Sequence, residues 1–276
     1  MALTGAGEIV SAAAARGTAA LAFNVIGIEH AEGIVAGAEA AGAAVILAIS
    51  ENCVRYHGAL EPVAAATLAI AQAASVAVGV HLDHATSADL VRAAVKAGIG
   101  SVMLDASGLD YAANVDVTAE VAAWCHERDV WIEAELGEIG GKDGVHAPGA
   151  RTRPAEAAAY VAATGVDALA VAVGSSHAML TRDATLDIEL IKQLGAALPV
   201  PLVLHGSSGV PDDTLAAAVQ AGLVKINIGT QLNKVFTSAV REALAADQRA
   251  VDPRTYGALG RDAIAQEVAR LMSVLP

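Results

Sequence analysis

The chain has 276 residues and a formal net charge of −13, a balance that argues against nonspecific binding to nucleic acid or anionic membrane, both of which need basic surface. Hydrophobic residues make up 55% of it and aromatic residues only 3%, so a sizeable core has to be built from small aliphatic side chains. The two cysteines, Cys53 and Cys125, are too few for a disulfide framework, and no zinc-ribbon spacing is present.

No basic region precedes an apolar run within residues 1–15, so no secretion signal is expected. No apolar stretch reaches roughly 18 residues, which argues against a membrane span and leaves a cytoplasmic, soluble protein as the expectation. A helix at 8–15 is expected to plug the bottom of the fold. A strand follows at 21–25, a helix at 31–41 and a strand at 44–49. The alternation continues through a helix at 61–74, a strand at 76–82, a helix at 88–97, a strand at 101–105, a helix at 115–128 and a strand at 130–136. Helices at 155–163, 188–198 and 212–221 then separate strands at 168–173, 201–205 and 224–228. Helices at 231–245 and 261–271 finish the chain. Gly42, Gly98, Gly165 and Gly222 suit the left-handed cap that closes a helix. Strands alternating with helices without a break read as a parallel sheet. Eight such units in a length near the ~250 residues of a typical (β/α)8 barrel predict one TIM-barrel domain over residues 1–276, with extra terminal helices. An open doubly wound sheet is the alternative.

The polar residues choose one end of those strands. Asn24, Ser50, Asp83, His84, Asp105, Glu135, His177, His205 and Asn227 all fall at or just past a predicted carboxyl end. In a (β/α)8 barrel that rim carries the active site, because the βα loops converge there. His84, His177 and His205, after the third, sixth and seventh strands, are candidate zinc ligands, since catalytic zinc takes three protein ligands and keeps one position open. If the third strand stays regular, His81 points to the opposite face from His84, and is read as a core or supporting residue. Asp83 should then face the substrate while His84 faces the metal. Its carboxyl group would either move a proton at a substrate hydroxyl or orient a histidine ring.

Several segments together resemble class II fructose- and tagatose-bisphosphate aldolases. They are His81-Leu-Asp-His84, Met103-Leu-Asp105, Glu133-Ala-Glu-Leu-Gly137 with Gly140-Gly141, Gly174-Ser-Ser-His177, Leu204-His-Gly-Ser-Ser208 and Lys225-Ile-Asn-Ile-Gly-Thr230. They stand in family order from Ala22-Phe-Asn24 to the Asp252-Pro-Arg254 tail. The resemblance implies that Asp83 is the acid/base and that His84, His177 and His205 hold a catalytic zinc ion. It gives Glu135 and Asp105 to an alternative, buried metal position. Gly206, Ser207 and Ser208, with Asn227, Ile228, Gly229 and Thr230, would hold the phosphate of dihydroxyacetone phosphate, with a monovalent cation near that phosphate. Loops after the last two strands are independently a common phosphate site in barrels. Asn24 and Ser50 would face the sugar hydroxyls. A homodimer or homotetramer in carbohydrate metabolism is also implied.

The chemistry needs such parts. Taking a proton from the carbon beside a ketone leaves an enediolate, which a Lewis-acid zinc ion stabilises. The competing Schiff-base route needs a lysine, and Lys225 on the eighth strand is read instead as pairing with a carboxylate inside the barrel. The chain departs from the family pattern twice. Ala178 stands where glycine usually follows the second histidine ligand. Asp143 stands in the loop after the fifth strand, where the family commonly places a glutamate base, and is expected to serve as that base. A metal-dependent hydrolase and a non-catalytic sugar-phosphate-binding protein are the rival readings. Fructose and tagatose bisphosphates are not distinguished by any residue, and neither is another phosphorylated sugar or sugar acid.

Overall fold

The computed structural model describes residues 3–136, 151–177 and 179–275. Its eight strands are β1 (Ala20–Asn24), β2 (Val45–Ser50), β3 (Val78–Ala85), β4 (Ser101–Leu104), β5 (Trp131–Leu136), β6 (Ala168–Val171), β7 (Leu202–Leu204) and β8 (Leu223–Ile228). They pair in parallel in chain order, and β8 returns to β1 with Ala20 opposite Lys225 and Ala22 opposite Asn227, so the sheet closes into a barrel. The open-sheet alternative is thereby excluded. All eight strands lie within two residues of their predicted starts, because β-branched runs bounded by helix-period segments are a strong signal. The four predicted cap glycines all have positive φ.

The helices are α1 (Ala6–Arg16), which lies at the bottom, and α2 (Ile28–Ala41), α3 (Glu51–His57), α4 (Glu61–Ala73), α5 (Ala88–Lys96), α6 (Tyr111–His126), α7 (Pro154–Thr164), α8 (Ile188–Ala197), α9 (Asp212–Gln220), α10 (Thr230–Ala246) and α11 (Pro253–Val274), most of which cover the outside. Alternation along each strand sends one set of side chains outward against these helices. Leu21, Phe23, Leu47, Ile49, Val80, Leu82, Leu204 and Ile226 are all in this outer apolar layer. Among the described residues no helix is long and apolar enough to cross a membrane.

The inward set differs at the two ends. Near the amino ends it is apolar, and Ala6, Ile9, Val10 and Ala13 of α1 pack there against Ala20, Ala22 and Ile46, with Trp131 beside them. The expected plug is therefore present. Midway up, the inward positions turn polar, with His81, Ser101, Glu133 and Lys225 all fully buried. At the carboxyl ends the same faces open into a cavity.

The helix α3 was not expected. It has only seven residues, too few for a clear apolar period, and the Ser50 hydroxyl caps it by accepting from the Cys53 N–H at 3.2 Å. A second difference lies in β3. Leu82 pairs with Val102 and Ala85 with Leu104, so β3 carries one residue more than β4 between those pairs. The extra residue forms a bulge, and His84 sits in it with φ +51°. Bulges of this kind re-aim side chains beside active sites.

Candidate active site

The bulge determines how β3 serves the site. In an unbroken strand Asp83 and His84 would face opposite ways. The left-handed turn at His84 brings its ring inward beside Asp83, so the premise that placed His81 and His84 on opposite faces does not hold. His81 lies one layer deeper, inside the barrel, where its Nδ1 meets the Ser101 hydroxyl at 2.6 Å. It is a core residue, as read, and does not join the histidine cluster.

His84, His177 and His205 converge at the mouth. Ring centroids lie 4.3 Å apart for His84 and His205, 5.1 Å for His84 and His177, and 6.0 Å for His177 and His205. One ligand atom from each lies within 4.8 Å of the others, and the same limit holds for a second set made by His84, Asp105 and Glu135. Two candidate metal positions thus share His84. Neighbouring carboxylates orient the rings. Asp105 Oδ2 is 2.9 Å from His84 Nδ1, and its Oδ1 accepts from the Ser107 hydroxyl at 2.6 Å. Glu133 Oε1 is 2.8 Å from His205 Nε2. A carboxylate on one ring nitrogen fixes the tautomer and turns the other nitrogen toward a metal.

The electrostatics agree with ligation. Burial, reinforced by His84, pushes the His205 imidazole well below its ordinary range, so it is neutral near pH 7, the form that binds metal. For Asp83 burial alone would raise the carboxyl, but the coulombic pull of His84 and of the Lys225 ammonium outweighs it and holds the group well below the usual carboxylate range. Two amides hold the ionised form. Asn24 Nδ2 donates to Asp83 Oδ2 at 2.8 Å, and Asn227 Nδ2 donates to Oδ1 at 3.1 Å. A divalent cation fits this donor set of neutral imidazoles ringed by carboxylates.

Around the cluster opens a cavity of about 550 Å³, lined by Asn24, Ser50, Asp83, His84, Asp105, His177, His205, Gly206, Ser207, Ser208, Asn227, Gly229 and Thr230. Glu135 is fully buried behind them. Ile228 does not line the cavity: its side chain belongs to the outer apolar layer, because it has the outward parity of Ile226. The hydroxyl of Ser207 is turned to the backbone of β8, donating to the Asn227 carbonyl. Ser208 Oγ accepts from the Gln231 N–H at 3.2 Å and ties the loop after β7 to the start of α10. Asp143 and Ala178 lie outside the described residues.

Sequence reasoning missed part of this wall. Glu51 and Arg55, on α3, also line the cavity. The Arg55 guanidinium donates to Glu51 Oε1 at 2.5 Å and to Asn52 Oδ1 at 3.3 Å. Glu51 in turn accepts from the Thr86 N–H at 2.6 Å, beside the His84 bulge. Among the described lining side chains Arg55 is the one lysine or arginine. Glu133 is a further residue of the site that the sequence motif alone does not single out, although its spacing of two from Glu135 on β5 puts both on the inward face.

Residues from all eight strands or their following loops thus meet at one rim, which defines a (β/α)8 protein with an enzyme-type site at its strand carboxyl ends. Residues 5–276 match the family described as fructose-bisphosphate aldolase class-II, and the chain belongs to that family. Among solved structures it resembles the YdjI aldolase from Escherichia coli K12, with 31% identity over 99% of this chain and 97% of that one and a TM-score of 0.87. A protein from Coccidioides immitis, provisionally assigned as a fructose-1,6-biphosphate aldolase, matches at 26% identity over 97% and 94% of the two chains, with a TM-score of 0.87. The fructose-bisphosphate aldolase of Campylobacter jejuni, at 21% identity over 99% and 95% and a TM-score of 0.81, shares the fold.

Proposed function

We propose that the chain is a zinc-dependent aldolase that reversibly cleaves a ketose bisphosphate, fructose 1,6- or tagatose 1,6-bisphosphate, to dihydroxyacetone phosphate and an aldehyde such as glyceraldehyde 3-phosphate. The observation that carries this reading is the three-histidine cluster, with ligand atoms within 4.8 Å, beside the buried carboxylate of Asp83. His84, His177 and His205 would hold the zinc ion, which would supply Lewis-acid charge for the anion left on the three-carbon fragment. His84, Asp105 and Glu135 offer an alternative position for the metal.

Asp83 takes the proton from the hydroxyl that becomes the aldehyde carbonyl, and returns it in the condensation direction. The amides of Asn24 and Asn227 keep its carboxylate oriented for that transfer. The loop Gly206–Ser208 and the first residues of α10 hold the phosphate of the three-carbon fragment through backbone N–H groups and hydroxyls, a suitable device in an acidic protein. Arg55, on the α3 wall, faces the second phosphate. Asp143 is the base that exchanges the proton on the three-carbon fragment. A homodimer or homotetramer working in the cytoplasm, where the buried free thiols of Cys53 and Cys125 stay reduced, completes the reading.

The test is a panel of phosphorylated ketoses assayed for dihydroxyacetone phosphate release with and without a chelator. Turnover is expected to vanish with the metal and return with zinc. Asp83→Asn is expected to lower kcat by ~10²–10⁴-fold, the usual scale of general acid–base catalysis. Stoichiometric zinc without cleavage of any bisphosphate would overturn the proposal.

A further inference from the structure

Below the metal centre the barrel holds a charged layer to which the aldolase reading assigns no task. Lys225 is fully buried. Its ammonium donates to Glu133 Oε2 at 2.7 Å and to Asn227 Oδ1 at 2.7 Å. Each partner has a second bond that ends in the site. Glu133 reaches the metal-ligand candidate His205 at 2.8 Å, and Asn227 reaches Asp83 at 3.1 Å.

The direction of these bonds follows from what each group can do. An ammonium has donors and no acceptor, so the end of the Asn227 amide that faces Lys225 must be its oxygen. The NH₂ end is then turned toward Asp83, where it gives the carboxylate a donor. With the amide reversed, an oxygen would face an oxygen and Asp83 would be pushed aside. On the other branch, Glu133 is an acceptor on both oxygens. One meets the ammonium, so the other accepts from His205 Nε2, which must carry the ring proton and leave Nδ1 as the metal-binding nitrogen. Lys225 and Asn227 stand two residues apart on β8 and share the inward face, while Glu133 comes from β5 across the barrel. No two of these three residues are neighbours in sequence, and the lysine joins both branches.

We propose that Lys225 is a positioning residue that orients the metal ligand His205 through Glu133 and the acid/base Asp83 through Asn227, so that one buried ammonium sets metal affinity and proton transfer together. The Asp83 branch rests on the aldolase reading. The His205 branch needs only a metal ion.

Two variants separate positioning from mere neutralisation of a buried carboxylate. Lys225→Met leaves Glu133 without its counter-charge and Asn227 without its guide. The double variant Glu133→Gln/Lys225→Met leaves no lone charge, and the Gln side-chain oxygen can still accept from His205 Nε2. Zinc affinity of the metal-free protein is read by competition with a chromophoric chelator, alongside kcat, KM and the thermal midpoint. For Lys225→Met, zinc affinity is expected to fall about 10- to 100-fold, the scale seen when a supporting partner of a ligand is lost. In the double variant the thermal midpoint and zinc affinity return toward wild type. Its kcat stays about 10-fold or more below wild type with KM little changed, because Asp83 has lost its directed amide.

Recovery of kcat together with stability in the double variant would show that Lys225 only neutralises Glu133. Unchanged zinc affinity in Lys225→Met would overturn the His205 branch, and if that variant does not fold, the double variant alone decides through its kcat. Wild-type protein that binds zinc but cleaves no ketose phosphate sinks the aldolase reading, while the zinc titrations still decide the His205 branch.

Discussion

Gly206→Ala tests how the loops at the barrel mouth are fitted together. Gly206 opens the loop after β7 with φ +68°, in the left-handed region. A Cβ placed there would lie 2.6 Å from the Ser176 carbonyl carbon, 2.8 Å from its oxygen and 3.0 Å from its nitrogen. All three are backbone atoms, so no side chain can swing aside. The left-handed conformation costs an L-residue about 1–2 kcal/mol, and forcing extra volume into a packed contact costs about 1–3 kcal/mol. Together these predict a loss of about 2–5 kcal/mol. Relief has to come from moving one loop away from the other. Ser176 directly precedes His177, so that movement draws the His177 ring away from His84 and His205. Urea unfolding of the metal-free protein should show a lower midpoint at unchanged slope, and zinc affinity should fall about 10- to 100-fold. A stability loss under about 0.5 kcal/mol, with wild-type zinc affinity, would refute the reasoning.

Two further outcomes are expected. Arg55→Ala should raise KM for ketose bisphosphates roughly 10-fold with kcat little changed, a modest effect because this guanidinium is half exposed and already shared with Glu51; an equal rise for a ketose bearing only the first phosphate would place Arg55 outside the second-phosphate site. His81→Gln should flatten the acid side of the stability profile of the metal-free protein. Burial, with Lys225 adding to it and Glu133 opposing, pushes the His81 imidazole down to about 3. The unfolded chain therefore takes up a proton near pH 6.5 that the folded protein refuses until about pH 3, and stability falls as the pH drops through that window. Unfolding midpoints at about pH 7, 5 and 4 check this, with a shallower decline expected for the variant and an unchanged decline counting against it.

The sequence carried the barrel because each strand is a short apolar run, and because polar residues gather at one end of nearly every run. Placement of Asp83, His84, His177 and His205 at one mouth follows from that alone. The bulge at His84 was not legible, since a period-two reading assumes an unbroken strand. It is this bulge that lets neighbouring residues in sequence serve one cavity. Arg55 escaped because α3 is a single short helix held by a cap at Ser50 rather than by an apolar stripe. The pairing of Lys225 with Glu133 joins residues 92 positions apart. Parity gave the face of each, but not which carboxylate the ammonium would choose. Ile228 marks the limit of a motif as a guide to side chains, since its own packs outward although it stands between Asn227 and Gly229, which line the cavity.

The plug formed by α1 has a consequence for chemistry carried out at the far end. Around it the bore is lined by Ala20, Ala22 and Ile46, with Met103, Ala168, Ala170 and Val203 packed nearby against Trp131, and α1 covers these side chains from below. The helix therefore acts as insulation. Without it, solvent would rise to the Glu133–Lys225 pair from beneath, screen the attraction between them and loosen the histidine that depends on it. The segment most distant from the substrate is in this sense the dielectric floor of the reaction chamber.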